Sequence, residues 1–192
     1  MRPRPWIWCL EPLVSPLDES IQLIDCPVSQ FVSSKFFHGV DGVSHQKSED
    51  DLARAVAEAL FRREGTGAAW GVQIEEVRVG YARLSMQIRA DMTNGHAMVH
   101  GGMIFALADT AFAYACNSAN EAAVGQAASI VYLAPAHDGE VLVAEARMVT
   151  RTGRTGVASV QVSVEGSQRV IAQFQGQSRT IGGHIVEPRK PG

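Results

Sequence analysis

The chain has 192 residues, of which 46% are hydrophobic, which is enough for one globular domain and too few for two large ones. Its 17 lysines and arginines stand against 20 acidic residues, which leaves a formal net charge of -3 at pH 7. Nucleic acid and anionic membrane surfaces are bound mainly by clustered basic residues, so this balance argues against both as partners. A ligand that carries phosphate must be bound by local groups.

The cysteines and apolar segments indicate a cytoplasmic protein. Cys9, Cys26 and Cys116 lack the spacing of a zinc site, and their odd number does not predict a disulfide framework. The apolar segment 6–10 is shorter than a signal-peptide core of about 7–15 residues. The longest apolar run, 103–116, is too short to span a bilayer.

Residues 1–47 are predicted to form an irregular or disordered N-terminal extension. Five of the eight prolines and two of the three tryptophans fall within residues 1–45, where no period of 2 or 3.6 is sustained. This segment contains three basic and five acidic residues, so it is not a polybasic tail. We expect removal of residues 1–45 to leave folding and turnover intact, unless the aromatic side chains dock on the domain.

The folded domain is predicted over residues 48–184, followed by a C-terminal tail over 185–192. Its first helix is predicted to begin near Ser48, where a capping residue and first-turn acids precede an apolar face. Gly65 and Gly67 are predicted to end this helix.

Most of the remaining domain is predicted to be antiparallel strands. Apolar and polar residues alternate over 72–90, which predicts a strand pair with one solvated face. A helix is predicted from about Gly101 to Asn117, and further strands near 122–133, 140–151, 156–165 and 169–180. Short turns that contain glycine join these later strands, as antiparallel hairpins require.

The helix over 101–117 carries little polar surface, which is typical of a helix buried nearly all round. Its many alanines permit close approach of strands. A single antiparallel sheet wrapped around one long buried helix is the hotdog fold, of the α+β class, and this is the predicted architecture.

Asp109 lies two turns into this apolar helix. An unpaired buried carboxylate costs several kcal/mol of desolvation or becomes protonated. The structural interpretation is that Asp109 pairs with an arginine of the sheet or lies on a solvated strip of the helix. From position alone, the structural and functional interpretations are balanced.

The predicted helix starts with His100, Gly101 and Gly102, whose backbone N–H groups stand at the positive end of the helix dipole. A thioester carbonyl placed on the N–H of Gly101 would be polarised as in an oxyanion hole, with no metal or cofactor. The alternative is that two glycines merely permit a tight turn between strand and helix.

Gly101 and Asp109 are eight residues apart, about 12 Å along a helix that rises 1.5 Å per residue. One chain's pair is therefore not expected to act on the same carbonyl. An antiparallel pair of these helices would bring Gly101 of one subunit opposite Asp109 of the other, which favours an obligate dimer with the active site between subunits.

Motifs spread over much of the domain are shared with one known family. They are Asn94-Gly95-His96, His100-Gly101-Gly102, Phe105, the run from Leu107 to Ser118, Tyr132-Leu133-Ala134-Pro135, the run from Gly153 to Val157, and Ile181-Gly182-Gly183. Together they resemble the hotdog acyl-CoA thioesterases of the PaaI (phenylacetate-degradation) type. The resemblance covers roughly residues 50–183, a span usual for one compact domain.

This resemblance implies hydrolysis of an acyl-CoA, especially an aryl-acetyl-CoA or a related medium-chain thioester, by a homodimer or homotetramer without metal or cofactor. Asp109 matches the catalytic carboxylate, acting as nucleophile or as general base on water. Gly101 matches the residue whose N–H polarises the carbonyl, and Asn94 matches a polar group that places substrate or water. His100 and Gly102 match residues that position the substrate.

Two positions depart from the family pattern. Gly125 lies where some relatives carry a small hydroxyl residue, and Ala113 where others carry Thr or Ser. Both departures concern acyl preference or water placement, and neither removes Asp109, Gly101 or Asn94.

Single residues also admit other interpretations. His96 and His100 are four apart, but the flanking glycines predict a loop rather than the helix that i,i+4 metal chelation needs. Cys116 falls in the last apolar turn, where a cysteine is usually an inert small hydrophobe. Four arginines are candidates for the CoA phosphates, although solvated charges are the simpler interpretation for each: Arg147, Arg151, Arg154 and Arg179.

Two other functions use the same fold. A non-catalytic acyl-CoA-binding protein would gain nothing from a carboxylate that faces the thioester, so Asp109 discriminates against it. An enoyl-CoA hydratase would need an Asp/His acid–base pair, which the spacing of His100 and Asp109 does not match.

Overall fold

The computed structural model describes residues 41–187, with side chains from Ser48 onward. The predictions for residues 1–40 and 188–192 lie outside this range. The elements in chain order are α1 (Asp41–Arg63), α2 (Thr66–Trp70), β1 (Val72–Arg78), β2 (Tyr81–Gln87), a 3-10 turn (Ala90–Met92), α3 (Gly101–Asn117), β3 (Ala123–Tyr132), β4 (Val141–Thr152), β5 (Thr155–Val164) and β6 (Val170–Thr180).

The six strands form one antiparallel sheet in the order β1-β2-β4-β5-β6-β3, with β1 and β3 at its edges. Each predicted strand is present, and the ends of β3 to β6 differ from the predicted ends by at most one residue. The alternation places Leu84 and Met86 of β2 in the core, together with Val160 and Val162 of β5. The α+β hotdog architecture is confirmed.

The first helix begins earlier than predicted. It starts at Asp41, so Ser48 lies inside α1 and does not cap it. From Ser48 onward, the first buried position of α1 is Ala53, and the sequence before Ser48 shows no sustained apolar period. Gly67 does not stop a helix either, because it lies within the short helix α2, which ends at Gly71 with φ +73°.

Helix α3 spans Gly101–Asn117 as predicted, but one chain does not bury it all round. Its core side includes Leu107, Ala111 and Phe112, and the rings of Phe112 and Phe174 approach with centroids 5.8 Å apart. A second side of α3 is left exposed or half-buried, at Gly102, Phe105, Ala106, Asp109, Thr110 and Ala113. We call this second side the open face of α3.

The predicted C-terminal tail starts at 185, yet its first residues are anchored to the domain. Asn120 accepts hydrogen bonds through Oδ1 from the N–H groups of Ile185 (3.0 Å) and Val186 (2.9 Å), and its Nδ2 donates to the Val186 carbonyl (2.9 Å). A guanidinium of α1, from Arg63, donates to the Ile185 carbonyl (2.9 Å). None of the helices in residues 41–187 is both long and apolar enough to cross a membrane.

Candidate active site

The first turn of α3 leaves one backbone donor open. His100 has an extended backbone (φ -62°, ψ 131°) and caps the helix, because its Nδ1 accepts from the N–H of Gly102 at 2.9 Å. The His100 carbonyl accepts from the N–H of Met103 at 2.9 Å. Within residues 41–187, no acceptor is bonded to the N–H of Gly101. Gly101 therefore supplies the free donor, and the expectation of a free N–H does not hold for Gly102.

This cap uses one nitrogen of the His100 ring. In the tautomer in which Nδ1 accepts the hydrogen bond, the ring proton lies on Nε2. The Nδ1 of His100 thus contacts the start of its own helix.

Gly101 is held against an aromatic ring. The hydroxyl of Tyr132, the last residue of β3, donates to the Gly101 carbonyl at 2.9 Å. A Cβ at position 101 would lie 3.1 Å from Cζ and from the hydroxyl oxygen of that ring. The bare Cα of glycine therefore lets the ring lie directly beside the open N–H.

Asn94 lies in the loop before α3, and its side-chain oxygen accepts hydrogen bonds within its own turn. Oδ1 accepts from the N–H of His96 at 2.9 Å and from that of Met98 at 3.4 Å. Its Nδ2 makes no hydrogen bond within the part of the chain that the structure describes. What Asn94 can offer a ligand is thus its amide N–H groups.

These groups line one apolar groove of about 430 Å³. No charged side chain lines it, and Asn94 and Gly101 share it with Met98, Val99, Ile104, Tyr132, Leu133, Ala134, Pro135 and Ala136. The groove is suited to an uncharged organic group beside a single backbone donor.

Asp109 lies on the open face of α3, in a separate hollow of about 330 Å³ between the helix and β3. Its carboxylate makes no hydrogen bond or ion pair within residues 41–187. Part of the residue is open to solvent in the single chain, but desolvation by its surroundings raises the pKa of the carboxyl. Of the two structural interpretations, the ion pair with a sheet arginine is not what the described residues show, whereas the exposed position of Asp109 on the open face of α3 fits a solvated strip of the helix in the single chain.

A single chain does not bring the two halves of the predicted site together. Asn94, Gly101, His100 and Gly102 gather at the start of α3, whereas Asp109 faces another hollow two turns further along. The eight-residue separation keeps them about 12 Å apart along the axis.

The other candidate residues have structural partners. Burial raises the pKa of the Cys116 thiol, and its Sγ lies 3.5 Å from the sulfur of Met148. Such a cysteine is a poor nucleophile. Within the described range, no three His, Cys, Asp or Glu side chains gather closely enough to hold a metal ion.

The candidate phosphate-binding arginines are largely engaged in the chain itself. Arg147 lies over an aromatic ring at 4.5 Å, and Arg151 forms an ion pair with Glu121. Arg154 donates to a backbone carbonyl at 2.9 Å, while Arg179 is exposed. Three of the four positions therefore have a structural explanation.

In the sequence, Tyr132 stands out only as part of a shared motif. It lies at the end of a predicted strand and before Leu133-Ala134-Pro135, but strand pairing gives no hint that this ring reaches Gly101. That contact is 31 residues apart in sequence and depends on the curvature of the sheet.

The chain is similar in sequence to known thioesterases and esterases. Residues 96–171 match the family model of the thioesterase superfamily. The acyl-coenzyme A thioesterase PaaI of Escherichia coli (strain K12) is 41% identical over 130 residues, which are 68% of this chain and 92% of that protein. A putative esterase of Archaeoglobus fulgidus is 31% identical over 128 residues, 67% of this chain and 82% of the relative.

Solved structures show the same architecture. The structure of the E. coli PaaI protein from the phenylacetic acid degradation operon superposes with a TM-score of 0.68 at 38% identity, covering 70% of this chain and 97% of that one. A mutant of the phenylacetic acid degradation protein PaaI from Thermus thermophilus gives a TM-score of 0.57 at 32% identity, covering 60% and 97%.

Proposed function

Since this chain belongs to the thioesterase superfamily, as a PaaI-type thioester hydrolase with the hotdog fold, we propose that it hydrolyses an aryl-acetyl-CoA or a related medium-chain acyl-CoA to the free acid and CoA. The uncharged groove beside Gly101 supports an apolar acyl group. The names of the two PaaI relatives, which refer to phenylacetic acid degradation, support an aryl-acetyl group in particular.

The observation that carries this proposal is the pair of unsatisfied groups on α3. Gly101 holds an N–H without an acceptor, and Asp109 holds a carboxylate without a donor, in the part of the chain that is described. Both groups are therefore available to a ligand or to a second subunit. A donor for a developing oxyanion and a base or nucleophile are the two parts that thioester hydrolysis needs.

Both groups serve one reaction when two chains pair. Strand β3 is an edge strand whose residues 124–129 are exposed, and it borders the open face of α3. Two copies that join along β3 would cover this face and set the two α3 helices antiparallel. Gly101 of one subunit then lies opposite Asp109 of the other, in a homodimer that can assemble further into a homotetramer.

In such a site, the thioester carbonyl accepts a hydrogen bond from the N–H of Gly101, and the Nδ2 of Asn94 orients the substrate or the water. As general base, Asp109 takes a proton from water while the water oxygen bonds to the carbonyl carbon. The C–S bond then breaks, and the CoA thiolate leaves and is protonated. As nucleophile, Asp109 instead forms an anhydride, which water hydrolyses. His100 keeps the helix start in place in either route.

The direct test is thiol release from a panel of acyl-CoAs by wild type and Asp109→Asn. Loss of a base or nucleophile should lower kcat by about 10²- to 10⁴-fold. Asp51→Asn, the same change at an exposed position of α1, is the matched control and should retain wild-type turnover. Near wild-type turnover by Asp109→Asn on every substrate would refute the catalytic assignment. Binding without turnover in wild type would instead indicate a non-catalytic acyl-CoA-binding protein.

A further inference from the structure

We infer that Tyr132 is a specificity-determining residue of this enzyme, whose ring selects acyl groups that carry an aromatic ring over aliphatic ones. The inference rests on the proposed function, because it places the acyl group in the groove beside Gly101. It concerns a side chain that contributes no donor or acceptor to the reacting carbonyl.

The ring lies where an acyl group must pass. Tyr132 and Gly101 line the same groove, and a Cβ at position 101 would lie 3.1 Å from the Tyr132 ring. A carbonyl bonded to the Gly101 N–H therefore extends its first acyl carbons along the ring. Because 49% of Tyr132 is exposed in the single chain, the ring retains surface for a ligand.

The hydroxyl holds the ring in this position. It donates to the Gly101 carbonyl at 2.9 Å, so turning the ring away would break a hydrogen bond at the start of α3. A preorganised aromatic surface loses little side-chain entropy when a ligand packs on it. Paired aromatic rings gain more than their buried area alone provides.

The rest of the groove is poorly suited to the other end of the substrate. CoA carries a diphosphate and a 3′-phosphate, whereas this lining holds no charged side chain. Apart from Asn94, its lining side chains are apolar or, in Tyr132, already hydrogen-bonded. The nucleotide therefore lies elsewhere, which leaves the groove to the uncharged groups beside the thioester, and the proposal places the acyl group there.

The test compares phenylacetyl-CoA with hexanoyl-CoA in Tyr132→Leu and Tyr132→Phe. Tyr132→Leu removes the ring and should lower kcat/KM for phenylacetyl-CoA about three- to tenfold more than for hexanoyl-CoA. Tyr132→Phe keeps the ring and should keep the wild-type ratio of the two substrates. It should lower kcat for both by a similar small factor, because the bond to Gly101 is lost.

An equal loss for both substrates in Tyr132→Leu would overturn the inference, since the ring would then contact the shared CoA part or only support the fold. Binding of the two acyl-CoAs to Asp109→Asn proteins, with and without Tyr132→Leu, provides a second readout by calorimetry. If wild type releases no thiol, the proposed reaction fails, and the binding ratio alone still decides the role of Tyr132. If Tyr132→Leu left the ratio of the two binding affinities unchanged, the role of Tyr132 in selecting the acyl group would also be refuted.

Discussion

The carboxyl of Asp109 is held by no hydrogen bond or ion pair within residues 41–187, so partial desolvation is what sets its acidity. The neutral form is favoured relative to an aspartate in water, and the pKa is raised. A carboxylate that binds protons more readily is also a stronger base. The desolvation of the Asp109 carboxylate therefore makes it a stronger base for the proposed reaction.

This shift predicts the pH dependence of the reaction. Turnover requires ionised Asp109 as base or nucleophile, so kcat/KM should fall as the pH drops through its raised pKa. The acidic limb should lie above about 3.9, the usual value for aspartate. A profile of kcat/KM between pH 3.5 and 8 measures the limb. A limb at or below the usual value would contradict the role of Asp109 as the group that must ionise.

At this scale, the sequence predicted which residues stand at the start of α3, but not which of their atoms remain available. Gly102 and Asn94 both lie at the predicted site, yet the Gly102 N–H is bonded to His100 and the Asn94 oxygen to its own turn. Which donor or acceptor stays free depends on local backbone angles, and residue types do not specify those. The unused N–H of Gly101 was expected from its place at the helix start.

At the scale of secondary structure elements, the contact between α3 and the sheet depends on glycine. A Cβ at Gly176 of β6 would lie 2.7 Å from a carbon of the Phe112 ring, whereas one at Gly125 of β3 would lie 3.4 Å from that ring. The first distance is a clash and the second an ordinary contact. The helix therefore rests on β6 at a position where only glycine leaves room for the ring.

Gly176→Ala should lower the free energy of unfolding by about 1–3 kcal/mol, because the added methyl group displaces a packed aromatic ring. Gly125→Ala is the matched control on the same ring and should change stability far less. Urea denaturation followed by circular dichroism measures both. Equal losses in the two variants would show that the clash with Phe112 at position 176 does not determine the loss.

A second prediction concerns the C-terminal segment, which Asn120 holds from a left-handed backbone conformation (φ +61°). Asn120→Gly keeps that conformation available and removes the side-chain hydrogen bonds to Ile185 and Val186. We expect a loss of about 1–3 kcal/mol, with faster amide exchange at these two residues.

Asn120→Ala separates backbone strain from these bonds. It lacks the same side-chain groups and must also place a Cβ in the left-handed region, which costs about 1–2 kcal/mol more. Hydrogen exchange and denaturation of both variants provide the comparison. Unchanged exchange at Ile185 and Val186 would show that these bonds do not hold the segment.

The sheet was predictable because strands alternate with a period of two, and the buried positions of Val160 and Val162 followed from that alone. Helices were predictable only where they pack. The sequence over 41–47, which forms the first turns of α1, shows no sustained apolar period, and the five-residue helix α2 is too short to show one. Helix α1 therefore begins within the predicted extension, before the predicted domain boundary at Ser48. For the residues that precede α1, the extension remains a prediction.

For the whole molecule, the proposed site between subunits can be tested with hybrid dimers. Gly101→Pro removes the proposed donor and adds a Cβ beside the Tyr132 ring of the same half-site, while proline suits the first helical position and His100 already has the extended backbone that precedes proline. Asp109→Asn removes the acid. Each variant alone should be inactive. A hybrid dimer of one Gly101→Pro chain and one Asp109→Asn chain has one site with both defects and one intact site. It should therefore regain about half the wild-type kcat.

Co-expression with two affinity tags isolates the hybrid, and thiol release measures its activity. Each single variant, purified in the same way, is the control. If Gly101 and Asp109 of the same chain formed the site, both halves of the hybrid would be defective, and its activity would stay at the level of the single variants.

The two edges of the sheet differ in charge, and this difference limits how far the chains can associate. The edge strand β1 carries Glu75, Glu76 and Arg78, whereas no charged residue occurs in β3. Charged edge strands resist the addition of further strands, and uncharged ones invite it. A dimer that pairs β3 of one copy with β3 of the other covers both uncharged edges. Only the charged β1 edges then remain exposed. Sheet growth then ends at twelve strands, so the molecule can join edge to edge without the risk of forming fibres.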